Sequence, residues 1–135
     1  MATASDPILL DSTVCVAVLR GRPHAIRRLA ARSPAIVYLA TMNEAELRYG
    51  ALNGQNPDDL TRVEALLARF TVLPFDRAAA RAHAEARLAL RRQPIGDRDL
   101  VIASVALAHG LTVVTGNVRE FARVPGLAVE DWGAA

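Results

Sequence analysis

The sequence predicts an α/β protein: a three-layer α/β/α sandwich around a mostly parallel central sheet. Two observations point there. Short apolar runs alternate with helix-length segments along the chain. Most of those runs are apolar throughout instead of alternating with polar residues, as expected of strands covered on both faces. No internal repeat, low-complexity tract or linker interrupts the pattern, so residues 1–135 are expected to form a single domain.

The elements follow in order. "PILLDST" reads as a buried strand finishing at Asp11, followed by a polar turn. "VCVAVLRG" then reads as a helix stopped by Gly21. "PHAIRRLAARS" carries Ile26, Leu29 and Ala30 on one helical face and arginines on the other. "AIVYLA" is a second strand and "TMNEAELRYGALNG" a helix ending near Gly54. "PDDLTRVEALLARF" is another helix, with Pro57 in its first turn and acids beside it, where the helix dipole favours them. "TVLPF" is a short strand. "DRAAARAHAEARLALRRQ" is a long helix capped by Asp76. After a loop with Pro94 and Gly96, a helix runs from about Asp97 to His109, with Gly110 as its C-terminal stop. "LTVVT" is a strand, "GNVREF" a turn and short helix, and "LAVEDW" a final edge strand.

Composition narrows the function. The chain has 135 residues and is 52% hydrophobic, enough to build a core without a disulfide or metal staple. Cys15 is the only cysteine, which excludes a disulfide framework and a multi-cysteine zinc site and suits a reducing cytoplasm. In its apolar stretch it reads as a small core residue. No secretory signal and no bilayer-spanning run is visible, so a soluble, cytoplasmic protein is expected. All 16 basic residues are arginine, within a net charge of +2. Arginine forks suit phosphate, which makes nucleic acid a reasonable partner. The lack of lysine excludes a P-loop nucleotide site and Schiff-base catalysis.

Acids gather where the strands are expected to end. Ligands of open α/β sheets bind beyond the carboxyl ends of the strands. Asp11 ends the first strand, Glu44 and Glu46 follow the second, Asp97 and Asp99 open the helix before the fourth, and Thr115 and Asn117 follow the fourth. Like charges converging from distant parts of the chain repel unless a cation is shared. Oxygen donors without histidine or cysteine spacing favour Mg²⁺, with Mn²⁺ as an alternative. Thr41 to Glu44 has capping-box spacing, which assigns Glu44 to the helix end and leaves Glu46 for the site. Asp97 reads as an N-cap. Asp99 shares a face with Ile102, Ala103 and Ala106 and is the better site candidate. Asp11 reads as a site residue more readily than as an Asx turn. Asn117 is open between a cap, paired with Glu120, and a contact to metal-bound water. Histidines 24, 83 and 109 are scattered, Ser12 and Ser104 lack a nucleophile elbow, and Trp132 reads as a packing anchor. Arg81, Arg87, Arg91 and Arg92 read as a solvated face.

Taken together, "ILLDSTVCVAVLRG", "TMNEAELRYG" and "IGDRDLVIASVALAHGLTVVTGNVREFARVPGLAVEDW" resemble the PIN-domain ribonuclease toxins of the VapC type, from bacterial toxin–antitoxin pairs. The resemblance spans nearly the whole chain and is most specific from Ile95 to Trp132. It implies the same α/β/α fold, an acidic pocket for Mg²⁺ or Mn²⁺, and hydrolysis of RNA. By motif position Asp11 is the first acid, Glu46 the second and Asp99 the third, with Asn117 at the fourth position after Thr115. The first motif, often D-T-N in the family, reads "DST", so Thr13 stands where an asparagine can support the site. The neutral Asn117 lowers the site's negative charge. The resemblance further implies a homodimer and a cognate antitoxin partner. The alternative of a different class is a non-catalytic RNA- or protein-binding module of the same fold. A phosphoacceptor signalling domain ranks last, since it relies on a lysine that this chain lacks.

Overall fold

A computed structural model describes residues 5–133. Five strands form one sheet: β1 (Ile8–Leu10), β2 (Val37–Ala40), β3 (Thr71–Leu73), β4 (Thr112–Thr115) and β5 (Val129–Asp131). Their order is β3-β2-β1-β4-β5, and all four pairings are parallel. The helices are α1 (Ser12–Leu19), α2 (Pro23–Ala30), α3 (Thr41–Asn53), α4 (Asp58–Arg69), α5 (Arg77–Ala89), α6 (Asp97–His109) and α7 (Val118–Phe121).

The two faces of the sheet explain why its strands look apolar throughout. Successive strand residues point to opposite faces. Ile8, Leu10, Val37 and Leu39 pack with Val14 and Cys15 of α1, Leu47 of α3 and Val63, Leu66 and Leu67 of α4. Leu9, Ala40 and Val113 pack on the other side with Ala79 and Ala86 of α5, Leu100, Ile102, Ala103, Val105 and Ala106 of α6 and Phe121 of α7. Cys15 is buried among these residues, and burial pushes its thiol far above the usual range. Trp132 is buried against the first cluster, and the Arg32 guanidinium lies 5.4 Å from the centre of its ring. Arg81, Arg87, Arg91 and Arg92 are exposed.

Several element boundaries differ from the sequence reading. No turn separates β1 from α1. Asp11 closes the strand and its side chain caps the helix that starts at the next residue, so the polar break is itself the helix N-terminus. "AIVYLA" begins with a 3₁₀ turn, Pro34–Ile36, capped by Ser33, and becomes strand only at Val37. Gly110 leaves α6 in the left-handed conformation, φ +65°, as its position after the helix requires. Among the described residues, no helix is long and apolar enough to cross a membrane.

The strand order positions the site. From central β1 the chain steps outward through β2 to the edge strand β3. It then crosses back through α5 and α6 to place β4 on the other flank of β1. Connections therefore leave β1 and β4 in opposite directions, and a crevice opens beyond their carboxyl ends.

Candidate active site

Asp11 follows the carboxyl end of β1, where that crevice opens, and is 2% exposed. Its Oδ1 accepts the Val14 backbone N–H at 3.1 Å and the Thr13 hydroxyl at 2.6 Å. Its Oδ2 accepts the Thr115 hydroxyl at 2.5 Å, across from β4. Burial raises the Asp11 carboxyl above the ordinary carboxylate range, while the bonds from Thr115, Thr13 and Val14 pull the other way. Both threonines also serve the loop after β4. Thr115 Oγ1 accepts the Asn117 N–H at 2.7 Å, and Thr13 Oγ1 accepts the Gly116 N–H at 2.8 Å. Thr13 thus supports the site in its own way at the position where an asparagine was expected. A side chain at Gly116 would meet Thr13 Oγ1 at 3.2 Å and the Gly133 backbone at 3.4 Å, so the close approach of these loops calls for glycine.

Glu46 enters from α3. Its Oε1 accepts the Ser12 hydroxyl at 2.7 Å, and Ser12 Oγ accepts from Asn43 Nδ2 at 3.1 Å. Asn43, fully buried, also accepts the Ala40 N–H at 2.8 Å. This arrangement overturns the capping box read from Thr41 and Glu44. Thr41 is already helical, Asn43 holds the helix entry, and Glu44 instead pairs with Arg48 at 2.7 Å. Arg98 Nη1 stands 3.7 Å from Glu46 Oε2.

Asp99 is the third residue of α6. The predicted cap, Asp97, is the first helical residue and makes no capping bond; Gly96 occupies the N-cap position. Asp99 Oδ2 accepts from Asn117 Nδ2 at 3.4 Å. Asn117 stands at the N-cap of α7 without a side-chain capping bond, so its amide serves Asp99 and not the helix end. Burial raises the Asp99 carboxyl above its ordinary range; the charges of Asp11, Glu46 and Glu120 add to the shift and Arg98 opposes it.

The predicted acids are therefore linked. Thr115 and Asn117 connect Asp11 to Asp99, and Ser12, next to Asp11 in the chain, holds Glu46. Glu46, Gly96, Asp97, Arg98 and Asp99 line a polar cleft of about 410 Å³. Among the described residues, no three carboxylate, imidazole or thiol side chains are gathered closely enough to cage an ion as they stand. The donors are all oxygen; His83 packs on Phe75 and His109 lies 3.8 Å from Asp76. Such a set fits a hard divalent cation that keeps much of its water. Four contributors are not legible in the sequence: Ser12 stands out only as a hydroxyl without a nucleophile elbow, Asn43 carries no signal beyond its polarity in an early helical turn, Glu120 reads only as a capping partner, and Arg98 carries no signal of its own.

A family model described as "PIN domain" matches residues 8–127. The chain belongs to the PIN-domain family. The PIN relatives are similar over almost their full length. A "tRNA(fMet)-specific endonuclease VapC" of Shigella flexneri is 36% identical over 127 residues, 92% of this chain and 96% of that protein. A "Ribonuclease VapC2" of Haemophilus influenzae is 32% identical over the same shares. Among solved structures, a chain of DNA-bound VapBC from Salmonella typhimurium superposes with a TM-score of 0.87 at 34% identity, covering 94% of this chain and 98% of that one.

Proposed function

We propose that this chain is the ribonuclease toxin of a toxin–antitoxin pair and hydrolyses RNA phosphodiester bonds with Mg²⁺ held at Asp11, Glu46 and Asp99. The arrangement of these carboxylates at the β1/β4 crevice supports the reading most, with hydroxyl or amide partners orienting each. The relatives' names supply the reaction class and suggest a tRNA as the first substrate to test. A cognate antitoxin is the partner suggested by a neighbour described as a member of the VapBC family of toxin-antitoxin systems, and a homodimer is the assembly expected from the sequence resemblance.

When bound, the divalent ion offsets phosphate charge and acidifies water for attack. The chain's own residues do the rest. Thr13 and Thr115 fix both oxygens of Asp11. Ser12 holds one oxygen of Glu46; the other lies 3.7 Å from Arg98 Nη1, at the cleft that both residues line, and would bind the ion or orient water. Asn117 holds Asp99 without adding a fourth negative charge.

The test uses purified protein, an initiator tRNA transcript and a panel of single-stranded RNAs. Cleavage is expected with Mg²⁺ and not with EDTA. Asp11→Asn and Asp99→Asn are expected to abolish cleavage while circular dichroism shows an unchanged fold. Full activity in both variants, or cleavage indifferent to EDTA, overturns the proposal. RNA binding without cleavage would instead favour a binding module.

A further inference from the structure

The charge of Arg98 opposes the crowding at Asp99, and Arg98 also meets Glu46. It occupies a boundary. On one side lies the polar cleft of about 410 Å³ shared with Asp97 and Asp99. On the other lies a cleft of about 370 Å³ lined by Ser12, Met42, Glu46 and Tyr49 among others. Glu46 and Arg98 line both clefts, so their ion pair forms the partition between them.

The partition is weakly held. The Arg98 side chain is 71% exposed, and its contact to Glu46 is 3.7 Å, an ion pair without a hydrogen bond. Arg98 sits between Asp97 and Asp99 in the first turn of α6 and lines the cleft with both. A guanidinium at that place has two mutually exclusive uses. Paired with Glu46, it competes with any divalent ion for that carboxylate. Released from Glu46, it offers a planar fork suited to a phosphate.

We propose that Arg98 is a phosphate-binding residue of the site, held in reserve by Glu46 and released when a divalent ion takes that carboxylate. The ligand is a backbone phosphate of the RNA next to the one being cut. The proposal rests on the ribonuclease reading for its RNA arm but not for its metal arm. It gives the two arms opposite signs.

Arg98→Ala removes both uses. Mn²⁺ binding to the RNA-free protein, measured by calorimetry, is expected to tighten about twofold to fivefold, the range set by one exposed ion pair. For the initiator tRNA transcript in Mg²⁺, KM is expected to rise several-fold with kcat nearly unchanged. The slope of log kcat/KM against log salt is expected to flatten by about 0.7, the signature of one lost phosphate contact on single-stranded RNA. Arg98→Lys keeps the charge without the fork and is expected to lie between Arg98→Ala and wild type in both arms, which also covers a folding failure of the alanine variant. Unchanged or weaker Mn²⁺ binding in Arg98→Ala overturns the competition. An unchanged salt slope, with wild type cleaving normally, overturns the phosphate role. A wild-type protein that cuts no RNA refutes the ribonuclease reading, and with it the phosphate role, while the Mn²⁺ arm still decides the competition.

Discussion

Replacing Asp99 by asparagine is expected to make the metal-free protein more stable while destroying its activity. The carboxylate is half-buried and lies within the field of Asp11, Glu46 and Glu120, with Arg98 opposing. Desolvation and like-charge repulsion, screened by the solvent that still reaches the group, cost on the order of 1–2 kcal/mol. Its place in the first turn of α6 offsets about 0.3–1 kcal/mol of that through the helix dipole. The net cost is therefore about 1 kcal/mol at neutral pH, or ~3 °C in Tm for a chain of this length. Asparagine is isosteric and can still accept from Asn117, so little else changes. The sign in pH follows from the raised carboxyl. The native state holds the Asp99 proton more tightly than the unfolded chain, so its share of stability falls as pH rises from the ordinary carboxylate range through the folded-state pKa. The gain from Asp99→Asn is thus full above that window and fades toward pH 4.

The assay is thermal unfolding of both proteins by calorimetry, in EDTA and in Mg²⁺, at several pH values. In EDTA at pH 7.5 the variant should melt higher, and less so in high salt, which screens the repulsion. Adding Mg²⁺ should raise the wild type more than the variant. A ligand at ten times its Kd contributes about 1.4 kcal/mol, enough to cancel the variant's lead. A variant that melts lower in EDTA, or equal Mg²⁺ shifts in the two proteins, would refute the electrostatic reasoning.

Other perturbations test the supporting residues. Ser12→Ala frees Glu46 Oε1 and leaves the buried Asn43 Nδ2 without its acceptor; activity or Mg²⁺ affinity should fall by about 10- to 100-fold, read by cleavage kinetics and metal titration, and urea unfolding should show a loss of about 1–3 kcal/mol. Thr115→Val removes the donor to Asp11 Oδ2 and the acceptor of the Asn117 N–H; urea unfolding should show a loss of about 1.5–3 kcal/mol, and cleavage should fall with it. Glu44→Gln should leave cleavage within about twofold of wild type, because Glu44 pairs with Arg48 on the helix surface and not with the site. Gly110→Ala forces a side chain into φ +65° and should lower stability by about 1 kcal/mol, seen as a drop in Tm with unchanged kcat/KM.

What was legible in the sequence, and what was not, divides along the range of the physical cause. The apolar strands, Gly110 after α6 and Asp76 before α5 are governed by neighbours within a turn or two, and each stands where the local pattern puts it. Asp11, Glu46 and Asp99 could be singled out because charge at a strand end or on a core-facing helix stripe is a local anomaly. Their partners could not. The spacing from Thr41 ranks Glu44 as a cap, but the helix starts one residue earlier: Ala40 is the N-cap and its N–H goes to Asn43, whose other end reaches Ser12, 31 residues away. Thr115 and Asp11 are 104 residues apart and Asn117 and Asp99 are 18 apart. No stretch the length of one helix or strand contains either pair. The same limit explains why "DST" looked like a weakened motif. Thr13 lacks the amide of an asparagine, yet its one hydroxyl donates to Asp11 and accepts from Gly116, because β4 brings that loop alongside. Whether a substitution weakens a site depends on how many of the new atom's bonding positions the fold fills, and here the proton and one of the two lone pairs of the Thr13 hydroxyl are used. A mutation to asparagine at position 13 must then be judged against the two bonds it displaces, one to Asp11 and one from Gly116.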